Sequence, residues 1–432
     1  MSTEQSSLWY RLDTSANIYP GIESSRDTAI FRVSLTLKED VIPSILLQAM
    51  ENCRKRFPYY NVHLKKGLFW NYLQENHNSF ILWPDTPYPC ERMYPFLNNG
   101  YLYKIKYFNK RIALEVFHVL TDGYGAMEFL KTVLQEYLIL SGKLSSPLHG
   151  ILHKEEIPPE EEYEDAFLKV LENQKEMTIE KKRSLFGNKG IYQLHDKLEP
   201  HGVYHVVTGV VSVDQLRKAA REHDATITEL LAALYMEALI HIQAEQVKVQ
   251  KNHKEIAIQI PVNMRKYYPY KCMRNFSLFV IPFIDPRKVF NLEDIIVQIK
   301  SFLKSHLTSK HLLTMIQDNC SLATNKVVRH IPVDFKNMFI SFINNTLGSS
   351  QFSGTLTNLG QLSMPDEMAA FIEDATIIAG PSPHGKTTCG IVSYLDHLNI
   401  TFGRSINDTK VEEYVFTKLV KMGVHVKIKS NT

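Results

Sequence analysis

Apolar and polar positions alternate through residues 29–37 (Ala-Ile-Phe-Arg-Val-Ser-Leu-Thr-Leu), the period of two that marks a strand with one face buried. The period then changes. Over residues 41–56, Ile42, Ile45, Leu46 and Ala49 fall on one helical face. Phe57-Pro58 ends the run, because proline disfavours helical geometry in the residue before it. Short aromatic and β-branched runs at 68–73, 101–108 and 112–117, separated by Pro, Asn and Gly, predict three further strands. From 126 to 140, Met127, Leu130, Leu134, Tyr137 and Leu138 recur at helical spacing. A strand ending near Phe117 therefore passes through the loop His118-Val-Leu-Thr-Asp-Gly-Tyr-Gly into a helix.

After Gly142 the pattern breaks into a Pro- and Glu-rich stretch, Ile157-Pro-Pro-Glu-Glu-Glu-Tyr-Glu-Asp, and then a charged run at 180–183. Residues 142–200 are expected to connect two halves. The second half predicts a strand at 203–211, helices at 213–222 and 228–241, strands at 256–260 and 276–283, and a helix at 292–306. Near its end come a strand at 375–379 and a hairpin that turns at Asp396-His397. Strands and helices do not alternate strictly in either half. The expectation is α/β architecture of the mixed-sheet, α+β kind, built twice: an N-terminal lobe over 1–175 and a C-terminal lobe over 200–432. A length of 432 residues agrees, since domains average roughly 150 residues.

Composition narrows the class further. Hydrophobic residues make up 44% and charged residues 22%, enough apolar material for sizeable cores, which excludes a disordered chain. The net charge of +3 is too small to indicate nucleic acid or a membrane as partner. The first ten residues have no basic stretch followed by an apolar run, and no segment reaches about 18 consecutive apolar residues. A cytoplasmic protein without a transmembrane segment is expected. The five cysteines (Cys53, Cys90, Cys272, Cys320, Cys389) are scattered and form no C-x-x-C pair, which predicts reduced thiols and neither a disulfide framework nor a thiolate metal site. In such a protein the N-x-S/T triplets at Asn275, Asn344, Asn399 and Asn407 carry no glycosylation meaning.

Two motifs compete for the chemistry. His118-Val-Leu-Thr-Asp122-Gly123 fits H-x-x-x-D-G at the junction of a strand and a helix. An imidazole there can project into a cleft as a general base, because its ordinary pKa lies near neutrality. Asp122 can hold the loop through a buried ion pair, and Gly123 gives the backbone freedom to turn. The bland alternative is a core or surface histidine beside an ordinary helix cap, a position that also suits Asp122.

The second motif, Gly380-Pro-Ser-Pro-His-Gly385-Lys386-Thr387, matches the phosphate-loop pattern G-x-x-x-x-G-K-[ST]. A phosphate loop needs a helix after it, whereas this one runs into the β-branched and aromatic hairpin. A plain turn is expected. Gly123-Tyr-Gly125 lacks the third glycine of a dinucleotide fingerprint, and His195, His201 and His205 lack a helical metal-binding spacing. Those histidines are expected in solvated loops, with no metal.

The residues around His118 also carry a resemblance. Glu115-Val-Phe-His-Val-Leu-Thr-Asp-Gly-Tyr-Gly-Ala-Met-Glu-Phe-Leu-Lys131 resembles the active-site segment of bacterial alcohol acetyltransferase-like proteins, in the chloramphenicol acetyltransferase-like superfamily. Trp9-Tyr-Arg-Leu-Asp-Thr-Ser-Ala-Asn-Ile-Tyr-Pro20, Pro261-Val-Asn-Met-Arg265 and Thr357-Asn-Leu-Gly360 are similar to further landmarks of that family, in the same order, so the resemblance spans nearly the whole chain. The H-x-x-x-D-G motif is shared with condensation domains, wax-ester synthases and plant acyltransferases.

The resemblance implies two similar chloramphenicol acetyltransferase-like lobes with a tunnel between them and the histidine at its middle. It implies that His118 takes the proton of an alcohol, small or lipid, while the oxygen attacks the thioester of acyl coenzyme A directly. Acyl coenzyme A is then a co-substrate, and no cofactor is permanently bound. Asp122 becomes structural, with Arg265 from the other lobe as its ion-pair partner. Thr357 and Asn358 become candidate donors to the tetrahedral oxyanion, although they equally suit a strand end and turn. Asn263 and Asn275 become candidates to line the tunnel. Condensation domains usually carry two adjacent histidines, whereas Phe117 precedes His118 here. That departure favours ester formation from coenzyme A, the alternative being a condensation-domain-like or non-catalytic homologue that acts on, or binds, thioesters of an acyl carrier protein. The plant D-F-G-W-G motif is absent, and Thr401-Phe-Gly-Arg-Ser405 is only a loose echo of it.

Overall fold

The alternating stretch at 29–37 is the strand Ile30–Leu37, placed inside a five-stranded sheet whose order is Ile372–Ile378, Ile30–Leu37, Arg111–Phe117, Tyr103–Phe108 and Leu82–Pro84. The molecule is a computed structural model describing residues 8–174, 190–289, 291–347 and 351–431. Helices Pro43–Cys53 and Gly123–Leu140 pack together against this sheet, and Leu46, Ala49, Leu130 and Leu134 are buried in its core. A small sheet of Trp9–Arg11, Asn71–Glu75 and Val62–Lys66 lies beside them.

The second half forms an eight-stranded sheet in the order Ser277–Val280, Ile256–Asn263, Gly354–Leu362, Thr387–Tyr394, His397–Arg404, His205–Ser212 and Val426–Ser430, with Phe283–Ile284 also paired to Ile256–Asn263. Its core packs against Ile227–Gln246, an apolar helix whose start is fixed by a capping box between Thr226 and Glu229. Among the described residues this is the one helix long and apolar enough to cross a membrane, and most of it is buried here. Helices Leu292–His306 and Lys410–Lys421 flank it.

The mixed-sheet, two-lobed expectation holds, with four local differences. Residues 68–70 are taken up in the bend before it, so the strand expected at 68–73 is displaced to Asn71–Glu75, whose middle residue Leu73 is buried. The strand expected at 276–283 is broken into Ser277–Val280 and Phe283–Ile284, separated by Pro282, which cannot donate to a ladder. The stretch 142–200 is more than a tether. It carries helix Ala166–Asn173, whose Phe167 and Val170 are buried against Phe276, Leu312 and Ile316; the charged run at 180–183 lies outside the described residues.

The fourth difference concerns the lobe boundary. Strand Ile372–Ile378, placed by chain order in the C-terminal lobe, pairs antiparallel with Ile30–Leu37 and completes the N-terminal sheet. The chain returns to the large sheet at Thr387–Tyr394, where the two sheets come close. A Cβ on Gly390 would stand 2.3 Å from the Ile377 carbonyl oxygen.

Candidate active site

Strand Arg111–Phe117 delivers His118 to the seam between the halves, and the segment 263–277 of the other half receives it. Four contacts hold the loop in place. Asn275 Nδ2 donates to the His118 carbonyl at 2.8 Å, and Arg274 Nε donates to that of Leu120 at 3.1 Å. Thr121 Oγ1 donates to the Met273 carbonyl at 2.6 Å, a carbonyl that also accepts from Tyr60 Oη at 2.5 Å. Arg265 Nη1 lies 2.8 Å from Asp122 Oδ2. A loop bonded on its backbone and side chains along its length has little freedom, so the imidazole enters the cavity from a fixed base.

Asp122 fills both roles the sequence left open. Its Oδ1 accepts from Gly125 N at 3.2 Å as the cap of helix Gly123–Leu140. Its Oδ2 accepts from Arg265, from Phe276 N at 2.9 Å and from Ser277 Oγ at 3.1 Å. Burial by itself would push this carboxyl up, but the Arg265 guanidinium and the backbone donors outweigh it and hold the group below its ordinary value. Arg265 is in turn oriented by the carbonyls of Cys272 (2.8 Å) and Arg274 (2.7 Å), by Asn263 Oδ1 at 3.3 Å, and by the Tyr124 ring 4.5 Å from its guanidinium carbon. Asn263 thus steadies the arginine while also lining the cavity.

The glycines work through space. Gly123 is the first residue of the helix and is not among the positive-φ residues, so the backbone freedom expected of it is not used. A Cβ there would meet Leu359 Cδ2 at 2.9 Å; one at Gly125 would overlap Thr121 Oγ1 at 2.2 Å and the Met273 carbonyl at 2.3 Å.

The half-buried His118 ring is sandwiched between Tyr19, stacked with centroids 4.9 Å apart, and Phe31, tilted at 4.4 Å. Burial lowers its pKa from the ordinary value, an effect the Asn275 hydrogen bond partly opposes. The ring is therefore neutral at neutral pH, as a proton acceptor must be. Sequence reasoning missed both aromatic neighbours and Asp13, which accepts from Asn275 Nδ2 at 3.1 Å and lies 3.7 Å from Arg274 Nε. All three belong to the segments 9–20 and 29–37; their distance in sequence from His118 left no local spacing to find them by.

His118 lines a cavity of about 1200 Å³ between the halves, together with Asp122, Asn263, Asn275, Thr357 and Asn358. The structure thus brings every sequence-predicted site residue to one place except Arg265, which acts from behind through Asp122. Thr357 and Asn358 lie on strand Gly354–Leu362 beside an irregularity between Asn358 and Gln361, where Gly360 takes φ +81°. The Asn358 side chain closes that turn by accepting from Gly360 N at 2.7 Å and donates to Thr228 Oγ1 at 2.9 Å.

The glycine-rich loop at 380–387 is structural. It leads into strand Thr387–Tyr394, and Lys386 Nζ is spent on the carbonyls of Leu194 (2.7 Å) and Asp196 (2.6 Å). His195 and His201 are exposed as expected. His205 departs: it opens strand His205–Ser212 with its side chain 12% exposed and Nε2 3.4 Å from Glu199. Among the described residues no three His, Cys, Asp or Glu side chains gather as a metal would require, and the five cysteines are buried free thiols.

No family model matches the sequence, and no curated protein matches it. Solved structures do. A trichothecene 15-O-acetyltransferase from Fusarium sporotrichioides superposes with a TM-score of 0.61 at 11% identity, covering 98% of this chain and 96% of that one. The starter condensation domain of rhizomide synthetase, solved with C8-CoA and Leu-SNAC, gives 0.60 at 11% identity over 96% and 94%. The wax ester synthase/diacylglycerol acyltransferase from Marinobacter aquaeolei VT8 gives 0.55 at 11% identity over 96% and 98%. With near-complete coverage in both directions, the chain has the two-lobed chloramphenicol acetyltransferase-like fold that condensation domains share with these acyltransferases.

Proposed function

We propose that the protein is an O-acyltransferase that moves an acyl group, acetyl in the simplest case, from a coenzyme A thioester to an alcohol. The observation that carries this reading is the place of His118: an imidazole on a loop bonded along its length, lining a cavity of about 1200 Å³. In the reaction His118 Nε2 takes the hydroxyl proton as the alcohol oxygen attacks the thioester carbon, forming a tetrahedral oxyanion. Collapse breaks the carbon–sulfur bond, and the thiolate recovers the proton from the imidazolium. The ester and free coenzyme A leave, and no acyl-enzyme is formed. Thr357 and Asn358 are the proposed donors to the oxyanion.

The lining supports the substrate classes. Tyr19, Phe31, Leu359, Ile377 and Val392 suit an organic or lipid alcohol, while Lys266 and Lys304 line the same cavity and suit the phosphates of the donor. The test is thiol release from acetyl coenzyme A with a panel of short-chain, long-chain and aromatic alcohols, with His118→Ala beside the wild type. Alcohol-dependent release that the variant loses is the expected result. Retained turnover in the variant overturns the mechanism. A folded wild type that releases nothing from coenzyme A thioesters but acts on an acylated carrier protein overturns the donor assignment.

A further inference from the structure

We propose that the outer face of helix Val333–Leu347, together with the hairpin tip at 67–70, is a docking surface for a membrane that bears anionic lipid. The surface stands apart from the cavity, and its test does not depend on the acyl-transfer reading.

Helix Val333–Leu347 has apolar residues on two sides. The inner side is used within the molecule: Val333 is buried, and Ile340 lies so close to Gly21 that a Cβ on the glycine would meet the Ile340 Cβ at 2.9 Å. The outer side carries Phe335, Met338, Phe339 and Phe342, spaced i, i+3, i+4 and i+7 and therefore in one stripe. Phe335 is 61% exposed and the other three 63% each. Such a stripe is the core-facing pattern of a packed helix, here turned toward solvent.

A second segment joins it. Val333 N donates to the Leu68 carbonyl at 2.9 Å, and Lys336 Nζ donates to the Phe69 carbonyl at 2.9 Å while sitting 3.7 Å from the centre of the Trp70 ring. The Phe69 ring meets that of His330 edge-on. These contacts fasten the hairpin between Val62–Lys66 and Asn71–Glu75 to the helix, and they bring exposed Leu68 and Trp70 to the same region as exposed Val327 and Ile331. An apolar surface assembled in this way from two separate segments marks a binding site.

Charge selects the occupant. Residues 65–70 and 326–347 hold five Lys or Arg (Lys65, Lys66, Lys326, Arg329 and Lys336) and one acid, Asp334. Asp334 is paired with Lys66, whereas Lys65, Lys326 and Arg329 are exposed and make no ion pair among the described residues. Phenylalanine and tryptophan edged by uncompensated cations suit the headgroup layer of an anionic bilayer, where the rings reach the acyl boundary and the cations stay with the phosphates. A second copy of the chain fits less well, because a two-fold contact would bring the same cations to both sides of it. The whole-chain charge of +3 averages this local excess away. The inner side of the helix rests on Tyr19–Ile22, whose Tyr19 is the ring stacked on His118, so docking sets the membrane against an element that reaches the cavity.

The test is co-sedimentation of the whole protein with vesicles of phosphatidylcholine alone and of an equal mixture with phosphatidylglycerol. The wild type should bind the mixed vesicles at least about tenfold more tightly than the neutral ones, and salt at about 0.5 M should weaken that binding. Phe335→Ser with Phe339→Ser should weaken it at least about tenfold. Lys326→Ala with Arg329→Ala should weaken it about 30-fold, at roughly a factor of five per cation near an anionic surface. All four side chains are exposed, so both variants should keep the wild-type melting temperature; should the aromatic variant fail to fold, the charge variant decides.

A wild type that stays in solution with both kinds of vesicle overturns the proposal, as does binding that a folded variant leaves unchanged. A wild type that elutes as a dimer, and that Phe335→Ser with Phe339→Ser turns into a monomer, also overturns it and assigns the face to a second copy. Acyl transfer in solution is read separately, so its absence would sink the proposed function and leave the vesicle result standing.

Discussion

Arg265 Nη1 and Asp122 Oδ2 meet at 2.8 Å across 143 residues of sequence, and both side chains are more than nine-tenths buried. The pair fastens the N-terminus of the helix after His118 to the other half of the molecule. An ion pair in such a place is held by further hydrogen bonds to both groups: Gly125 N, Phe276 N and Ser277 Oγ donate to the carboxylate, and the guanidinium donates to the carbonyls of Cys272 and Arg274.

Replacing one member should be costly. Asp122→Asn should lose about 3–5 kcal/mol at neutral pH by urea unfolding, since it leaves Arg265 charged and uncompensated in the interior. The sign with pH comes from the carboxyl being held below its ordinary value in the folded state. Its contribution is complete above the unfolded pKa and is lost as pH falls through the folded one. The gap between wild type and variant should therefore narrow below about pH 4, and a gap that widened there would contradict the pair.

His118→Ala should remove about 10²–10⁴ of the acyl-transfer rate while keeping the fold, because the loop is held by the His118 and Leu120 carbonyls, Thr121 and Asp122, all of which the variant keeps. Turnover and thermal unfolding measured on one preparation would check both halves of the statement.

The pH profile tests the electrostatics of the same ring. Burial lowers the His118 pKa, so the base is already neutral at pH 7 and the acid limb of kcat/KM should lie below about pH 6.5. A limb centred above 7 would mean that another group takes the proton.

Gly125→Ala and Gly123→Ala should differ sharply. At Gly125 the new methyl would collide with the Met273 carbonyl and the Thr121 hydroxyl, both tied into the seam, whereas at Gly123 its one tight contact is the tip of the Leu359 side chain, with Ile377 Cδ1 at an ordinary 3.6 Å. We expect at least about 1–3 kcal/mol of destabilisation at Gly125, and less at Gly123. Equal melting temperatures would refute the close approach.

Lys386→Ala should destabilise the protein by about 1 kcal/mol, because two partly buried carbonyls lose their charged donor. ATP should leave the melting temperature of both proteins unchanged. A shift in the wild type that the variant abolishes would restore the phosphate-loop reading.

How much the sequence disclosed depends on the range of the interactions involved. Strands such as Ile30–Leu37 and helices such as Gly123–Leu140 are written in local periodicity, and the Asp122 cap needs only its own loop. Helix Val333–Leu347 escaped because Phe335, Met338 and Phe339 stand exposed, which blurs the one-sided pattern of a packed helix. The partners of His118 escaped for a different reason. Asp13, Asn275 and the loop at 118–122 meet only in the tertiary structure, and a hydrogen bond across 262 residues leaves no spacing to detect. The glycines show the limit from the other side: their positions were legible, but whether each serves torsion or close approach is settled by the neighbours they meet.

The crossing strand Ile372–Ile378 has a consequence for biosynthesis. Until it arrives, Ile30–Leu37 is an open edge of the N-terminal sheet, with one row of backbone amides and carbonyls unpaired. At a translation speed of about 5–20 residues per second, the intervening chain takes roughly 20–70 s to leave the ribosome. During that interval the nascent first half is a template for any strand that comes near it. The half made first stays incomplete until the half made last is nearly finished.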